Sequence, residues 1–314
     1  MLTFEFLAAG PGDACLVRWD GRAILVDGGR HGTYESAIKG RFQRLEAVCV
    51  THVDDDHIGG VLAMLGALHR EQQDQLEPSV VIERLWFNHA AEILKVPADV
   101  VRGASFAQGG NLRRLATALG LRRNEPFGDV IRQGVTASLH GLDVTVIAPG
   151  PAALDTLAAK WQRHDPQVAA AAVKDHSVPN LSSIALYLTD GTTTALLTGD
   201  ARADHLLDGL AACGHERLHV DVLKLPHHGS AKNVTADFFE RVTAEHYVIS
   251  TDGTKHGHPD AEALRLLVRS RAAEDRYTIH FTHRVEAAER ALDELRAGRR
   301  FEVAGPPVVL TSTG

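Results

Sequence analysis

The sequence predicts an α/β fold in which helices cover the outer faces of two sheets. Three observations carry this expectation. Short apolar runs with strand alternation lead the chain, strand-like and helix-like segments alternate through its second half, and the helical segments suffice to cover two sheets. No internal repeat or low-complexity linker divides the 314 residues, so one domain over 1–314 is expected. A chain of this length can bury one large core or two modest ones.

Residues 2–7 alternate around Phe4 and Phe6, and residues 14–19 and 22–26 are further apolar runs joined by Asp20-Gly21. Asp-Gly between apolar runs signals a hairpin, because both residues tolerate positive φ. A three-strand meander is therefore expected, with a tight turn at Gly10-Pro11-Gly12-Asp13 and the third strand ending in Asp27-Gly28-Gly29. Residues 33–42 read as a helix and 45–50 as a buried strand; Ile58, Val61, Leu62, Leu65 and Leu68 then mark one helix face. Val80-Val81-Ile82 and Leu85-Trp86-Phe87 read as another strand. Gly103, Gly109, Gly110, Gly128 and Gly134 break up residues 88–140, an irregular insertion expected to shape substrate access, with one helical face at Leu112, Leu115, Ala116 and Leu119.

Residues 142–148 return to strand alternation, and Leu154, Leu157, Ala158 and Trp161 mark a helix. The alanine-rich run 168–173 reads as helix or mobile loop. Asp190-Gly191 joins a hairpin of 184–188 and 194–198. Strands at 218–225, 247–250, 277–281 and 308–310 then alternate with helices around Leu206, Leu207 and Leu210; Phe238, Phe239 and Val242; Leu264, Leu267 and Val268; and Val285, Ala288, Leu292 and Leu295.

The stretch Thr51-His52-Val53-Asp54-Asp55-Asp56-His57-Ile58-Gly59-Gly60 stands at a strand-to-helix turn. Acids alone could serve there as helix caps and complements of the dipole. Two imidazoles five residues apart with aspartates at alternate positions point instead to a metal, since this donor mixture suits zinc, iron or manganese. Three later strands also end in metal-capable residues: Asp200, His227 with His228, and His256 with His258. Loops at one edge of a rigid sheet are where sites are built. One ion takes four or five ligands and this census exceeds that, so a two-metal site explains it best.

A net charge of −7 argues against a global basic field for nucleic acid or membrane, though a local basic groove is compatible with it. Cys15, Cys49 and Cys213 are scattered and odd in number, which reads as free thiols in a reducing compartment. The N-terminus resembles no signal peptide and no run approaches the ~20 apolar residues of a membrane helix. The expectation is a cytoplasmic protein with no membrane partner.

Asp27 after a strand, the His-x-Asp-x-Asp-His series, Thr198-Gly199-Asp200 and the later histidines resemble the metallo-β-lactamase superfamily. That resemblance implies a four-layer αββα sandwich with two metals at one edge. Ala9-Gly10-Pro11-Gly12-Asp13-Ala14, the stretch 51–60, Leu196-Leu197-Thr198-Gly199-Asp200, Leu223-Lys224-Leu225-Pro226-His227-His228-Gly229-Ser230 and Gly257-His258-Pro259 look like the hydrolase domain of the DNA-uptake protein ComEC and like bacterial phosphorylcholine esterases. These motifs span residues 9–259. Two departures matter: Asp54 stands where the commoner first motif has His, as in the ComEC-type branch, and Asn180-Leu181-Ser182-Ser183 occupies the place of the third-motif His. No membrane channel accompanies the motifs, so DNA uptake is not implied.

By the resemblance, His52, Asp54 and His228 hold one metal, Asp56, His57 and His258 hold the other, and Asp200 bridges two divalent ions, zinc or manganese. His227 would steady a phosphate oxygen, making His227 and Asp56 the candidate catalytic residues. Exchange of His227 with His228 stays open, as does His256 in place of His258. Asp13 and Asp27 are placed outside the ligand set, Asp27 in an orienting role. Lys224 would either neutralise phosphate or snorkel from a strand end. Two such ions ~3.5–4 Å apart activate a shared hydroxide and clamp both oxygens of an in-line displacement, which suits phosphodiesters.

The expected function is thus a metal-dependent phosphodiesterase or nuclease, with a phosphodiester substrate or nucleic acid as partner. Arg113, Arg114, Arg122, Arg123 and Arg132 would track a backbone or merely solvate a helix face. Two alternatives use the same fold: a lactone, thioester or β-lactam hydrolase, and a regulatory, partner-binding module without catalysis.

Overall fold

The computed structural model describes residues 1–95, 104–162 and 180–311; the alanine-rich run 168–173 and residues 96–103 of the insertion lie outside these. Two large sheets face each other. The first has the order β17-β1-β2-β3-β5-β7-β8, built from β1 (Thr3–Phe6), β2 (Cys15–Trp19), β3 (Arg22–Val26), β5 (Ala47–Cys49), β7 (Arg84–Trp86), β8 (Arg122–Arg123) and β17 (Val308–Thr311). The second has the order β16-β15-β14-β13-β12-β11-β10-β9. Its strands are β9 (Thr136–Leu139), β10 (Leu142–Ala148), β11 (Ala185–Thr189), β12 (Thr194–Leu197), β13 (Leu218–Lys224), β14 (Val242–Ile249), β15 (Arg276–Phe281) and β16 (Arg300–Ala304). A small pair, β4 (Arg44–Leu45) with β6 (Val81–Ile82), lies beside the first sheet.

Strand alternation divides the apolar side chains between layers. Phe4, Phe6, Val17, Ile24 and Cys49 of the first sheet meet Val144, Leu186, Val222 and Val248 of the second in the core between the sheets. The opposite faces are covered by helices. Leu16, Leu25 and Val48 pack under α1 (Asp55–Gln73) and α3 (Ala104–Ala118) through Ile58, Leu65, Leu112 and Leu115; the short α2 (Ala90–Leu94) lies between these helices in the chain. Leu223, Tyr247 and Ile279 pack under Leu206, Phe238, Leu264 and Leu292. The layers therefore run helix, sheet, sheet, helix, the four-layer αββα sandwich implied by the resemblance.

Strands β12 to β16 pair in parallel, as do β3, β5 and β7. Parallel strands deliver their carboxyl ends to one edge, where ligands of open α/β sheets bind. Asp27, His52, Asp200, His227 and the loop holding His258 follow five such ends.

Several elements differ from expectation. Residues 33–42 yield only a one-turn π segment, Tyr34–Ile38, because Gly40 takes φ 77° and ends it. Val80-Val81-Ile82 and Leu85-Trp86-Phe87 split into β6 and β7, which join different sheets. Gly109 and Gly110 lie inside α3, where a Cβ on Gly109 would stand 3.4 Å from Val53; the glycine permits the helix to approach the start of α1. The insertion is therefore partly helical. Among the described residues no helix is long and apolar enough to cross a membrane.

Candidate metal centre

The first turn of α1 is gripped by neighbouring loops before any side chain is considered. Asp13 N–H donates to Asp56 O at 3.1 Å, and Gly28 N–H donates to His57 O at 2.8 Å. A Cβ on Gly12 would lie 1.9 Å from Asp56 O and one on Gly60 would lie 2.0 Å from Gly28 O, so both contacts need the missing side chain. Asp56 and His57 are thereby fixed at the sheet edge.

Four imidazoles are then oriented alike. His57 Nδ1 pairs with Asp27 Oδ2 at 2.8 Å, and His52 Nδ1 lies 3.1 Å from Thr51 Oγ1, whose hydroxyl donates to the same Asp27 oxygen at 2.8 Å. His228 Nδ1 donates to Ser250 O at 2.8 Å, and His227 Nδ1 to Asn233 Oδ1 at 3.0 Å. With Nδ1 carrying the proton, each Nε2 keeps its lone pair. All four Nε2 atoms face Asp200. His52 and His227 lie 3.7 and 3.4 Å from Oδ2, and His57 and His228 lie 3.3 and 3.8 Å from Oδ1.

Each side also holds one aspartate. Asp54 Oδ2 is 3.7 Å from His52 Nε2, and Asp56 Oδ2 is 3.9 Å from His228 Nε2. Buried His52 Nε2, His57 Nε2, His228 Nε2 and Asp200 Oδ1 lack a hydrogen-bond partner among the described residues. Buried polar atoms rarely go unpaired, and four converging ones match the donor set of a cation. The clusters His52–His57–Asp200 and Asp56–His57–His228 each bring their ligand atoms within 4.8 Å of one another. The residues present fit divalent metal.

The electrostatics match a cation-binding cluster. Burial, together with Asp200, pushes the Asp54 carboxyl up to about 7. Burial would also raise Asp56, yet His57, His228 and Lys255 bring it down to about 2. Burial and neighbouring His57 drop His52 to about 3. For His57 burial is outweighed by Asp200 and Asp27, which raise it well above the ordinary imidazole value. Within the cluster, charge to balance these carboxylates otherwise comes from His57 and from Lys255, which donates to Asp56.

The geometry groups the residues differently from the pairing that the resemblance implies. His228 clusters with Asp56 and His57, whereas His227 faces the Asp200 oxygen shared with His52. His258 stands one ring further out, its centroid 5.5 Å from that of His227 and its Nδ1 3.2 Å from Asp260 Oδ1. Both His256 and His258 line the cleft above the cluster, together with Pro11, Asp54, Asp56, Asp200, His227, His228 and Lys255. Asp55 points away to Gln108 and Arg30.

The backbone at the histidine pair is unusual. His227 and His228 have φ of 46° and 56°, the left-handed region that costs non-glycine residues about 1–3 kcal/mol each. His227 N–H to Gly199 O and Ser230 N–H to His227 O hold this conformation.

Lys224 has a role unlike either of those expected for it, and Asn233 is a supporting residue that the motifs do not mark. Lys224 neither snorkels nor reaches the cleft: it is 3% exposed, contacts Asp13 Oδ2 as an ion pair and donates to Gly199 O at 3.0 Å. Asp13 Oδ1 in turn lies 3.3 Å from His228 Nδ1. Asn233 donates to Asp200 O at 3.0 Å, which fixes its amide so that Oδ1 meets His227. Asn180, in the place of the third-motif His, contacts His227 Nδ1 at 3.2 Å. A buried lysine and an asparagine in a polar turn give no local sequence signal.

The family model described as the metallo-beta-lactamase superfamily matches residues 7–69. That segment contains Asp13, Asp27 and the whole motif at 51–60, so the superfamily assignment is supported where four candidate ligands sit. A comparison with curated proteins finds no match. Among solved structures, the metallo-beta-lactamase fold protein YhfI from Bacillus subtilis is 15% identical with a TM-score of 0.49, covering 99% of this chain and 100% of that one. A diphosphatase from the PhnP family is 13% identical with a TM-score of 0.48, over 99% and 98% of the two chains. The short form of human tRNase Z is 12% identical with a TM-score of 0.43, over 98% of each. Likeness at this level bears on neither substrate nor mechanism.

Proposed function

We propose that the protein is a metal-dependent hydrolase acting on phosphodiesters, with two divalent ions, zinc or manganese, held around Asp200. The observation that carries this reading is the convergence of four Nε2 atoms on the two oxygens of one buried carboxylate. Asp54, His52 and His227 would hold one ion through the Oδ2 side, and Asp56, His57 and His228 the other through the Oδ1 side. Such ions, when bound, supply Lewis acidity and an activated water.

The chain's own residues do the rest. Asp27 anchors the Nδ1 proton of His57 directly and orients His52 through Thr51, which keeps both lone pairs aimed inward. Asn233 and Ser250 do the same for His227 and His228. Lys255, His256 and His258 line the cleft beside the carboxylates, Lys255 in contact with Asp56. This rim of basic groups supports an anionic substrate and favours phosphodiester over an uncharged lactone or thioester. His258 is assigned here to the substrate side of the cleft.

The test is hydrolysis of bis-p-nitrophenyl phosphate, DNA and RNA by protein loaded with zinc or manganese. Asp200→Ala and His57→Ala are expected to abolish turnover while retaining the fold by circular dichroism. Loaded wild-type protein that leaves all three substrates intact while opening a lactone or β-lactam overturns the phosphodiester reading. Binding of less than one equivalent of metal would favour a non-catalytic module.

A further inference from the structure

Lys255 stands where the Asp56 cluster opens to solvent. Its ammonium donates to Asp56 Oδ2 at 2.8 Å, and that same oxygen is the one 3.9 Å from His228 Nε2. The lysine side chain is 31% exposed while that of Asp56 is 5% exposed, so the pair spans the boundary between site and solvent. The loop is built to hold it there. Asp252 Oδ1 accepts from the N–H and hydroxyl of Thr254 at 2.9 and 2.6 Å, and positive φ at Gly253, His256 and Gly257 folds the segment back over the cleft.

An ammonium and a divalent cation compete for this oxygen. A single positive charge ~4 Å from a double one is repelled by about 8 kcal/mol at an effective dielectric constant of 20. The ammonium must therefore give way when Asp56 turns to metal, and its four-carbon stem lets it do so without moving the loop. It then hangs over a cleft whose other charged walls, Asp54, Asp56 and Asp200, are engaged. Its natural partner there is an anion.

We propose that Lys255 is a tethered cation that neutralises Asp56 until a divalent ion takes that carboxylate, and thereafter holds an anionic oxygen of a phosphoryl substrate. The second half rests on the phosphodiester reading above; the first concerns metal uptake alone.

The experiment compares wild type, Lys255→Met and Lys255→Arg. In zinc titrations against a chromophoric chelator, without substrate, Lys255→Met is expected to bind the second equivalent about tenfold more tightly, and Lys255→Arg to behave as wild type. With bis-p-nitrophenyl phosphate, Lys255→Met is expected to raise KM about tenfold with a smaller effect on kcat, and Lys255→Arg to restore KM. Unchanged or weaker zinc binding in Lys255→Met overturns the competition for Asp56. An unchanged KM in an active variant overturns the substrate contact. If wild type shows no turnover, the phosphodiester reading fails with the substrate half, while the zinc titration still decides the first half.

Discussion

Lys224→Met tests the buried scaffold beneath the centre. Lys224 and Asp13 are 3% and 6% exposed, and their ion pair is sealed between the sheets beside His57 and His228. Contact at ~3 Å with an effective dielectric constant of 20 is worth about 5 kcal/mol of attraction, which roughly offsets the several kcal/mol lost in desolvating each ion. The intact pair therefore adds little net stability, but its removal is costly. Methionine nearly matches the lysine stem in volume and leaves the Asp13 carboxylate buried beside imidazoles alone. A loss of about 3–5 kcal/mol is expected. Urea denaturation in chelator, followed by circular dichroism, measures it. The double variant Asp13→Asn/Lys224→Met removes both charges and should recover more than half of the loss, giving a coupling energy of the opposite sign. A loss below about 1 kcal/mol in Lys224→Met, or a double variant no better than the single, would refute the argument.

Three further outcomes follow from the same structure. Asp27→Asn weakens the anchor of the His57 Nδ1 proton and the link through Thr51 to His52, so zinc affinity should fall about 10–100-fold in a chelator competition; unchanged affinity would remove Asp27 from the orienting role. Gly60→Ala should lower Tm although alanine is the better helix former by about 1 kcal/mol, because the new Cβ would meet Gly28 O at 2.0 Å; a raised Tm contradicts that contact. His280, buried and beside His246, is depressed from 6.5 to about 4, so the unfolded chain takes up its proton first as pH falls. Stability is full above about pH 6.5 and declines by roughly 3 kcal/mol towards pH 4. His280→Gln should flatten this part of the urea midpoint against pH, and an unaltered slope would assign the decline to other groups.

What could be read from sequence was set by distance along the chain. The Phe4 and Phe6 alternation, the Asp20-Gly21 hairpin and the periodic face from Ile58 to Leu68 are local signals, and each reappears in β1, the β2–β3 turn and α1. The strand-end histidines were also legible, because parallel strands must release their carboxyl ends at one edge whatever the side-chain detail. Which histidine meets which aspartate was not. Spacing arguments assume that alternate residues face alternate ways, and His227 and His228 break this by both adopting left-handed backbone. In that conformation His227 turns to Oδ2 of Asp200 and His228 to Oδ1. The same limit applies to Lys224, whose position at a strand end suggests snorkelling until Asp13, from the loop between β1 and β2, arrives to neutralise it. Lys255 is a sharper case. A lysine between threonine and histidine in a glycine-containing loop looks solvated, and its value as a cation at the site depends on Asp56, which the fold delivers from the first turn of α1. The ligand types were thus written in short motifs, while their pairing and their charge balance arise from contacts between motifs. Substitutions at Lys255, Lys224 and Asp13 should accordingly alter metal affinity or stability without changing a single ligand.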